Sequence, residues 1–525
     1  MKVTLVRPPV LMPTFNMATM IVPPLGVAYV AAALRHEGHE VGILDSVGLA
    51  IERFTAHERG CLHGLPLGEV VERIPDDSGA IGVSIQFSYE WPVGRELLRR
   101  IRARFPHALL VAGGEHVTAL PESCFAEGLV DVAVLGEGEA TACALLETFA
   151  TQGRSGLAKV PGICYRDAGG SMRKGTLPSR IRDLKSIARP AWDLVPMEEY
   201  LSRGYGFGVT RGRSIPVLAS RGCPYQCTFC SNPFMWTTRW MARDPEDLLD
   251  EIAWLKDTYR AENFDFYDLT MIVKRQWILD FCDAIERRKM NFLWQLPSGT
   301  RSEAVDEEVS RRLSRTGCRN LSYAPESGSM DSLQKIKKKV SLPKMLASMR
   351  GAVKSDLNVK LNFIFGFPHE GWRHIYESFV LMTKAAILGV HDISIWVFVP
   401  YPGSELFLQL RELGKIPELD DEYYYRLASY ADITQTFSYC ERLSKRALLF
   451  ARVVGIFWFY GISWLVRPWR PIQMLGHAIT GHLESRSEMA LQGMVRRVRR
   501  MLGRKKQSAA PVAPRETAPL EKQAV

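Results

Sequence analysis

The sequence predicts an α/β protein with a doubly wound parallel sheet at its N-terminus, a second strand–helix repeat after it, and a helical C-terminal region. Two observations carry this reading. Short apolar strands alternate with helical patterns through residues 1–150 and again through 201–415, and alternation of that kind builds parallel sheets covered by helices. The 525 residues also exceed one ordinary core, so two or three domains are expected.

In the first unit the apolar runs Lys2–Arg7, Glu40–Asp45, Ala80–Ser84, Ala108–Gly113 and Val130–Leu135 read as strands. Helical patterns separate them, notably Leu25–Arg35 and Gly94–Arg104. Doubly wound sheets bind ligands at the carboxyl ends of their strands. Here those ends carry Asp45, Ser84, the run Gly113-Gly114-Glu115-His116 and the run Gly136-Glu137-Gly138-Glu139. Residues 151–200 read as a linker, with a turn at Gly169-Gly170-Ser171 and no assigned chemistry.

The second unit opens on an apolar run, Ile215–Ser220, that reads as a buried strand. Arg221-Gly222-Cys223-Pro224-Tyr225-Gln226-Cys227-Thr228-Phe229-Cys230 follows, placing three cysteines at Cys-x3-Cys-x2-Cys in one loop. A helix then starts at Asp244, with Pro245 at its first position. Four thiolates normally close a four-iron cluster, so three in one loop leave one iron open to a non-protein ligand. A zinc site would want a fourth Cys or His at matching spacing, and Cys282, Cys318 and Cys440 stand alone. Disulfides are disfavoured, because no signal-peptide pattern is present and the other seven cysteines are scattered. Further strands are expected at Asn263–Asp268, Phe292–Leu296, Asn320–Ala324, Val359–Phe365 and Asp392–Val399, with helices at Arg275–Lys289 and Asp306–Arg315 among them.

Cysteines at the end of a first strand, in this spacing, resemble the radical S-adenosylmethionine (radical SAM) superfamily. The resemblance implies a partial (β/α)6 barrel with chemistry at the carboxyl ends of its strands. It implies a [4Fe-4S] cluster on Cys223, Cys227 and Cys230, with SAM on the open iron. Phe229 would lie beside the adenine, Tyr267 and Asp268 at the SAM amino group, and Glu326 at the ribose hydroxyls. Without a ligand Glu326 would be a carboxylate at a helix N-terminus, favoured there by the dipole. Gly366-Phe367-Pro368-His369-Glu370 and Pro400-Tyr401-Pro402-Gly403 match the family's fifth and sixth strand-end motifs.

Residues 1–150 resemble the cobalamin-binding domain that precedes the barrel in a large subfamily. Pro23–Tyr29, the Gly-Gly-x-His at 113–116 and the Gly-Glu-Gly-Glu at 136–139 carry the likeness. It implies that Ser84, Gly113, Gly114, His116, Gly136 and Glu137 meet the cofactor. One departure matters. Where an imidazole ligand to cobalt would come from Asp-x-His-x-x-Gly, this sequence reads Asp45-Ser46-Val47-Gly48. The resemblance therefore implies cobalamin with its own base displaced and no histidine ligand; the competing reading is a scaffold that binds no corrin. Arg189–Leu194 resembles the linker into such catalytic domains.

The family chemistry implied is reductive cleavage of SAM and, with cobalamin, C-methylation of an unactivated carbon. Rival reactions are radical cyclisation, methylation or crosslinking of a tetrapyrrole, lipid or other metabolite without cobalamin methyl transfer. A non-enzyme reading is a membrane-bound redox or cobalamin-sensing adaptor. A reductase, flavodoxin or ferredoxin is expected as electron donor.

Charge is segregated along the chain. Residues 441–525 hold 16 Lys+Arg against 5 Asp+Glu, a surplus of 11, whereas the whole chain has a net charge of +10. The preceding 440 residues are thus close to neutral, and no RNA-binding module accompanies the basicity, so no nucleic-acid partner is expected. Residues 416–506 read as a helical, basic region. Ala447–Val466 is apolar over a bilayer's length apart from Arg452, with Arg446, Arg467 and Arg470 at its flanks and Trp458, Trp464 and Trp469 near interface positions. Arg496–Arg500 and Arg504–Lys506 form a basic cluster suited to anionic headgroups, and residues 507–525 are expected to be disordered. An interfacial helix on a cytoplasmic protein, peripheral to the inner face of the membrane, fits this pattern, as does a helix packed on the barrel beneath a solvated tail. A lipid, hopanoid or isoprenoid-like substrate follows from the first reading.

Overall fold

The computed structural model describes residues 1–13, 21–176, 180–416, 418–430, 432, 435–493 and 495. The basic cluster at 496–506 and the tail at 507–525 lie outside the described residues.

Seven strands form the N-terminal sheet: β1 (Lys2–Arg7), β2 (Glu40–Asp45), β3 (Ala80–Ser84), β4 (Leu109–Gly113), β5 (Val132–Val134), β6 (Ile163–Arg166) and β7 (Met172–Lys174). They are ordered β7-β6-β5-β4-β3-β1-β2. The five strands expected from sequence are mutually parallel, and the strand order reverses between β1 and β3, so the carboxyl ends of those strands flank a switch point. Three helices among those covering it are α1 (Leu25–His36), α2 (Trp91–Arg104) and α3 (Gly138–Gln152). α1 buries Leu25, Val27, Ala28, Tyr29 and Leu34 at helical spacing.

The stretch expected as a linker adds structure of its own. Ile163–Arg166 and Met172–Lys174 pair as a hairpin about the turn at Asp167–Gly170 and extend the sheet with antiparallel strands. Flanks of four and three residues are too short to show a strand pattern in sequence, although the turn itself was readable.

The barrel contains six consecutive parallel strands in sequential order: β8 (Ser214–Val217), β9 (Asn263–Phe266), β10 (Leu293–Thr300), β11 (Cys318–Glu326), β12 (Asn358–Phe365) and β13 (Asp392–Val397). β12 alternates cleanly. Val359, Leu361, Phe363 and Phe365 are buried against helices, while Asn358, Lys360, Asn362 and Ile364 line the more open inner face. The covering helices include α4 (Pro245–Tyr259), α5 (Arg275–Arg287), α6 (Glu307–Arg315), α7 (Leu342–Lys354) and α8 (Trp372–Leu388). α4 forms where the sequence predicts: Asp244 accepts from the amides of Glu246 at 2.9 Å and Asp247 at 3.3 Å, and Pro245 needs no donor partner.

Two C-terminal helices, α9 (Lys445–Val466) and α10 (Arg470–Thr480), lie on the barrel's side, α9 against α8 and β13. The chain then returns beneath the barrel. Arg486 and Ser487 donate their amides to Asp392 Oδ2 at 3.0 and 3.3 Å, and Asn320 Nδ2 donates to the Glu484 carbonyl at 2.7 Å. This segment meets β13 at its first residue, at the amino ends of the strands and therefore away from the cysteine loop.

Candidate functional site

The cysteine loop leaves β8 at the carboxyl end of the barrel. Gly222 is required at its start, because φ is +84° and a Cβ there would sit 2.2 Å from the Arg239 carbonyl oxygen. Thr228 N donates to the Ile336 carbonyl at 3.1 Å, Cys230 N to Cys227 at 3.1 Å, and Leu406 N to the Thr228 carbonyl at 2.8 Å. Cys223, Cys227 and Cys230 are free and partly exposed. Burial raises all three thiols, Cys230 to about 12, while Lys338 and Arg301 pull the first two back. A bound cation would displace those protons. Among the described residues no three His, Cys, Asp or Glu side chains converge on one ion position; a four-iron cluster instead takes each thiolate on a different iron. Two buried polar atoms of this loop, Thr228 Oγ1 and Asn232 Oδ1, lack protein partners, as a polar ligand beside the cysteines would require.

The other barrel residues singled out from sequence gather around the loop. The Phe229 ring stands 5.5 Å from Phe367 and 5.9 Å from the Lys338 ammonium. Glu326 ends β11 with φ at +67° and holds Lys338 Nζ at 2.8 Å, both side chains nearly buried. A non-glycine residue in the left-handed region at a strand end is strained, and the ion pair fixes its carboxylate near the cysteines. Asp268 accepts from the Ala219 amide at 3.1 Å and from the Ser220 hydroxyl, and burial raises its pKa to about 6. It ties the second strand to the backbone that feeds the cysteine loop. Tyr267 points away from that tie, with its ring edge-on to Phe207 at 5.5 Å.

In the N-terminal sheet the strand ends behave differently. Gly114 has φ of +121°, and a Cβ there would lie 2.2 Å from the Ile85 carbonyl oxygen; Gly113 beside it has only Val134, at 3.9 Å, within contact. Gly136 has φ of +69° and donates its amide to Thr118 Oγ1 at 3.0 Å. Ser84 is half-buried at the end of β3. Of these, Gly113 has no close neighbour to crowd it, whereas Gly114 is glycine because the Ile85 backbone closes on it. Val47 is fully buried and offers no imidazole, and Asp45 accepts from Tyr200 at 2.6 Å; the nearby imidazole is that of buried His63, whose Nε2 sits 2.5 Å from the Ile51 carbonyl.

Two residues expected at a cofactor are engaged elsewhere. His116 is a core residue: Ser88 and Ser123 hydroxyls sit 3.1 Å from its two ring nitrogens, and Trp91 stacks on it at 4.7 Å. Burial lowers its pKa to about 3. Glu137 takes Arg180 Nε at 2.8 Å and the Ile181 amide at 2.9 Å on one oxygen and Arg221 at 3.1 Å on the other. Glu139 takes the second Arg221 nitrogen at 2.6 Å, and Tyr29 lies 5.0 Å beneath the guanidinium. Burial opposes the Arg221 charge, and the Glu139 and Glu137 carboxylates more than restore it. The acidic motif of the first sheet therefore grips the residue two positions before the first cysteine. Glu115, which bonds Ser231 just after the third, makes a second tie. Sequence reading missed Arg221, Arg180 and Lys338; only the adjacency of Arg221 to Cys223 offered a signal.

Two family models match: the B12 binding domain over residues 15–146 and the radical SAM superfamily over residues 217–382. The chain therefore combines a B12-binding domain with a radical SAM domain. A [4Fe-4S] cluster, SAM and cobalamin are its cofactors, and it is a cobalamin-dependent radical SAM enzyme. This radical SAM chain is 28% identical over 78% of its length to 82% of an uncharacterized methyltransferase of Pyrococcus horikoshii. It is 26% identical to a hopanoid C-3 methylase of Methylococcus capsulatus, over 77% of this chain and 72% of that one. Other matching relatives are named a cytidylyl-2-hydroxyethylphosphonate methyltransferase, from Streptomyces wedmorensis, and an anaerobic magnesium-protoporphyrin IX monomethyl ester cyclase, from Cereibacter sphaeroides. The fold matches the radical SAM methyltransferase TsrM of Kitasatospora setae with a TM-score of 0.61 at 18% identity, covering 78% of each chain.

Proposed function

We propose that this enzyme C-methylates an unactivated carbon of an apolar, lipid-like substrate such as a hopanoid or isoprenoid. When bound, the cluster and SAM supply the radical chemistry and cobalamin supplies the methyl group. Cys223, Cys227 and Cys230 hold the cluster. Phe229 packs on the adenine, the backbone at Tyr267 and Asp268 positions the SAM amino group, and Glu326, steadied by Lys338, takes the ribose. Ser84, Gly113, Gly114 and Gly136 would hold the corrin, and Val47, at the position of a histidine ligand, would offer it no imidazole. Glu137 and Glu139 orient the two cofactor regions through Arg221, and His116 acts by filling the core behind them. Orientation of this kind is the protein's principal contribution to reactions whose cofactors carry the hard step.

The grip of Glu137 and Glu139 on Arg221 carries the methyl-transfer reading, because it fastens the first sheet's strand ends beside the cysteine loop. The choice of an apolar substrate is drawn from the exposed apolar helices at the C-terminus, as is a location in the cytoplasm, peripheral to the inner membrane face. A flavodoxin, ferredoxin or reductase delivers the electron. The test is incubation of the reduced holoenzyme with trideuteriomethyl-labelled SAM and a lipid extract. A lipid gaining one labelled methyl group is expected; label in a tetrapyrrole or water-soluble fraction alone would overturn the substrate class.

A further inference from the structure

α9 is inside out. The only charged residue between Arg446 and Arg467 is Arg452, and it points into the protein at 2% exposure, donating to the carbonyls of Asp432 and Tyr430 at 3.3 and 3.2 Å. Gly455 and Ser463 share that inward face. The outward face is apolar, with Phe457 74% and Leu465 82% exposed, and α10 continues it with Ile472 at 75%. A helix on a water-soluble surface shows the opposite polarity. At the other end Trp372 of α8 meets Phe450 of α9 at 6.5 Å. There α9 abuts the barrel mouth, since Leu448 lies 2.8 Å from where a Cβ on Gly366 would be.

These helices are held flat. Arg467 donates to the carbonyls of Ala386 and Ile387 at 3.2 Å, Arg470 to those of Val390 at 2.8 Å and Gly389 at 2.6 Å, and Trp458 Nε1 to Thr383 Oγ1 at 2.9 Å. The face is therefore a fixed plane along the barrel's side. A patch of this extent marks an interaction surface.

We infer that the outward face of α8, α9 and α10 docks in the interface of an anionic bilayer, with its Trp372 end at the barrel mouth. Charge decides the occupant. Lys445, Arg446 and Lys384 are exposed around the apolar residues, and in sequence the chain is basic over residues 441–525, of which 496–525 lie outside the described residues. Such pairing of an apolar face with clustered cations fits an interfacial helix on anionic lipid. The chain beyond residue 495 is rich in Arg, Lys, Ala and Pro, and unsuited to cover an apolar plane itself. The docking surface deepens the lipid-substrate reading but stands on the helices alone.

The test uses the full-length holoenzyme and the double variant F457E/L465E in flotation with phosphatidylcholine vesicles, with and without phosphatidylglycerol. The unaltered protein should float, more strongly with phosphatidylglycerol, and its tryptophan fluorescence should be quenched by brominated lipid. The variant should partition at least tenfold more weakly, while cleaving SAM at an unchanged rate without vesicles. An unaltered protein that neither floats nor is quenched overturns the inference, as does a dimer that the variant splits without vesicle binding. Failure of SAM cleavage with intact flotation would strike the chemistry instead and leave the surface standing.

Discussion

The carboxyl ends of the two sheets make an instructive pair. At the barrel, three thiols are free, Thr228 Oγ1 and Asn232 Oδ1 are buried without protein partners, and burial raises the thiol pKa values. At the N-terminal sheet, Asp45, His116, Glu137 and Glu139 have their hydrogen bonds made, two of them to Arg221 at the head of the cysteine loop. Polar groups left wanting mark where ligands belong, whereas satisfied ones mark how the site is held. Gly113, with nothing nearer than Val134 at 3.9 Å, is the strand end of the first sheet that stays bare. In the barrel, too, the charged strand ends Asp268 and Glu326 are engaged, so the contrast lies between the cysteine loop and the strand ends that hold it.

Three perturbations sharpen that contrast, in descending size. Arg221→Ala leaves Glu137 and Glu139 buried beside one remaining cation, a loss on the order of 3–5 kcal/mol for a broken buried pair. Thermal unfolding should shift down, and iron incorporation should fall with it; R221K keeps the charge but not the two-pronged geometry and should recover only part. Normal iron content in R221A would reduce the clamp to packing.

His116 yields a pH effect. Its folded pKa, lowered by burial to about 3, lies below the ordinary value of 6.5, so between those pH values the unfolded chain binds a proton that the folded one refuses. Stability is fully present above about pH 6.5 and declines as pH falls, by about 1.4 kcal/mol per unit from this group. H116Q should flatten the slope of stability against pH by one proton in that window. An unchanged slope would mean that the imidazole is not buried neutral. The smallest effect is Asp244→Ala, which removes the cap of α4 for a loss of about 1 kcal/mol, read by chemical denaturation, with cluster content intact.

What could be read from sequence follows from how far apart the interacting residues lie. The cysteine loop is contiguous, so its spacing states its chemistry, and the glycine-ended strands announce a parallel sheet in the same local way. Arg221 and Glu139 are separated by 82 positions, and their meeting depends on how the two sheets pack, which no local pattern records. His116 belongs to a local motif, but a lone histidine is more often a satisfied core residue, and the serines and Trp91 that enclose it come from other segments. The outward polarity of α9 was equally hidden: the apolar run was plain, but which side Arg452 faces is decided by the barrel it packs on.

The central claim is that the loop at 223–230 carries an open-iron cluster that cleaves SAM. Anaerobic reconstitution followed by reduction tests it, with iron and 5′-deoxyadenosine measured on the unaltered protein and on the C223A/C227A/C230A variant. About four irons and steady cleavage in the first, and neither in the second, are predicted. Cleavage that survives in the iron-free variant would contradict the account.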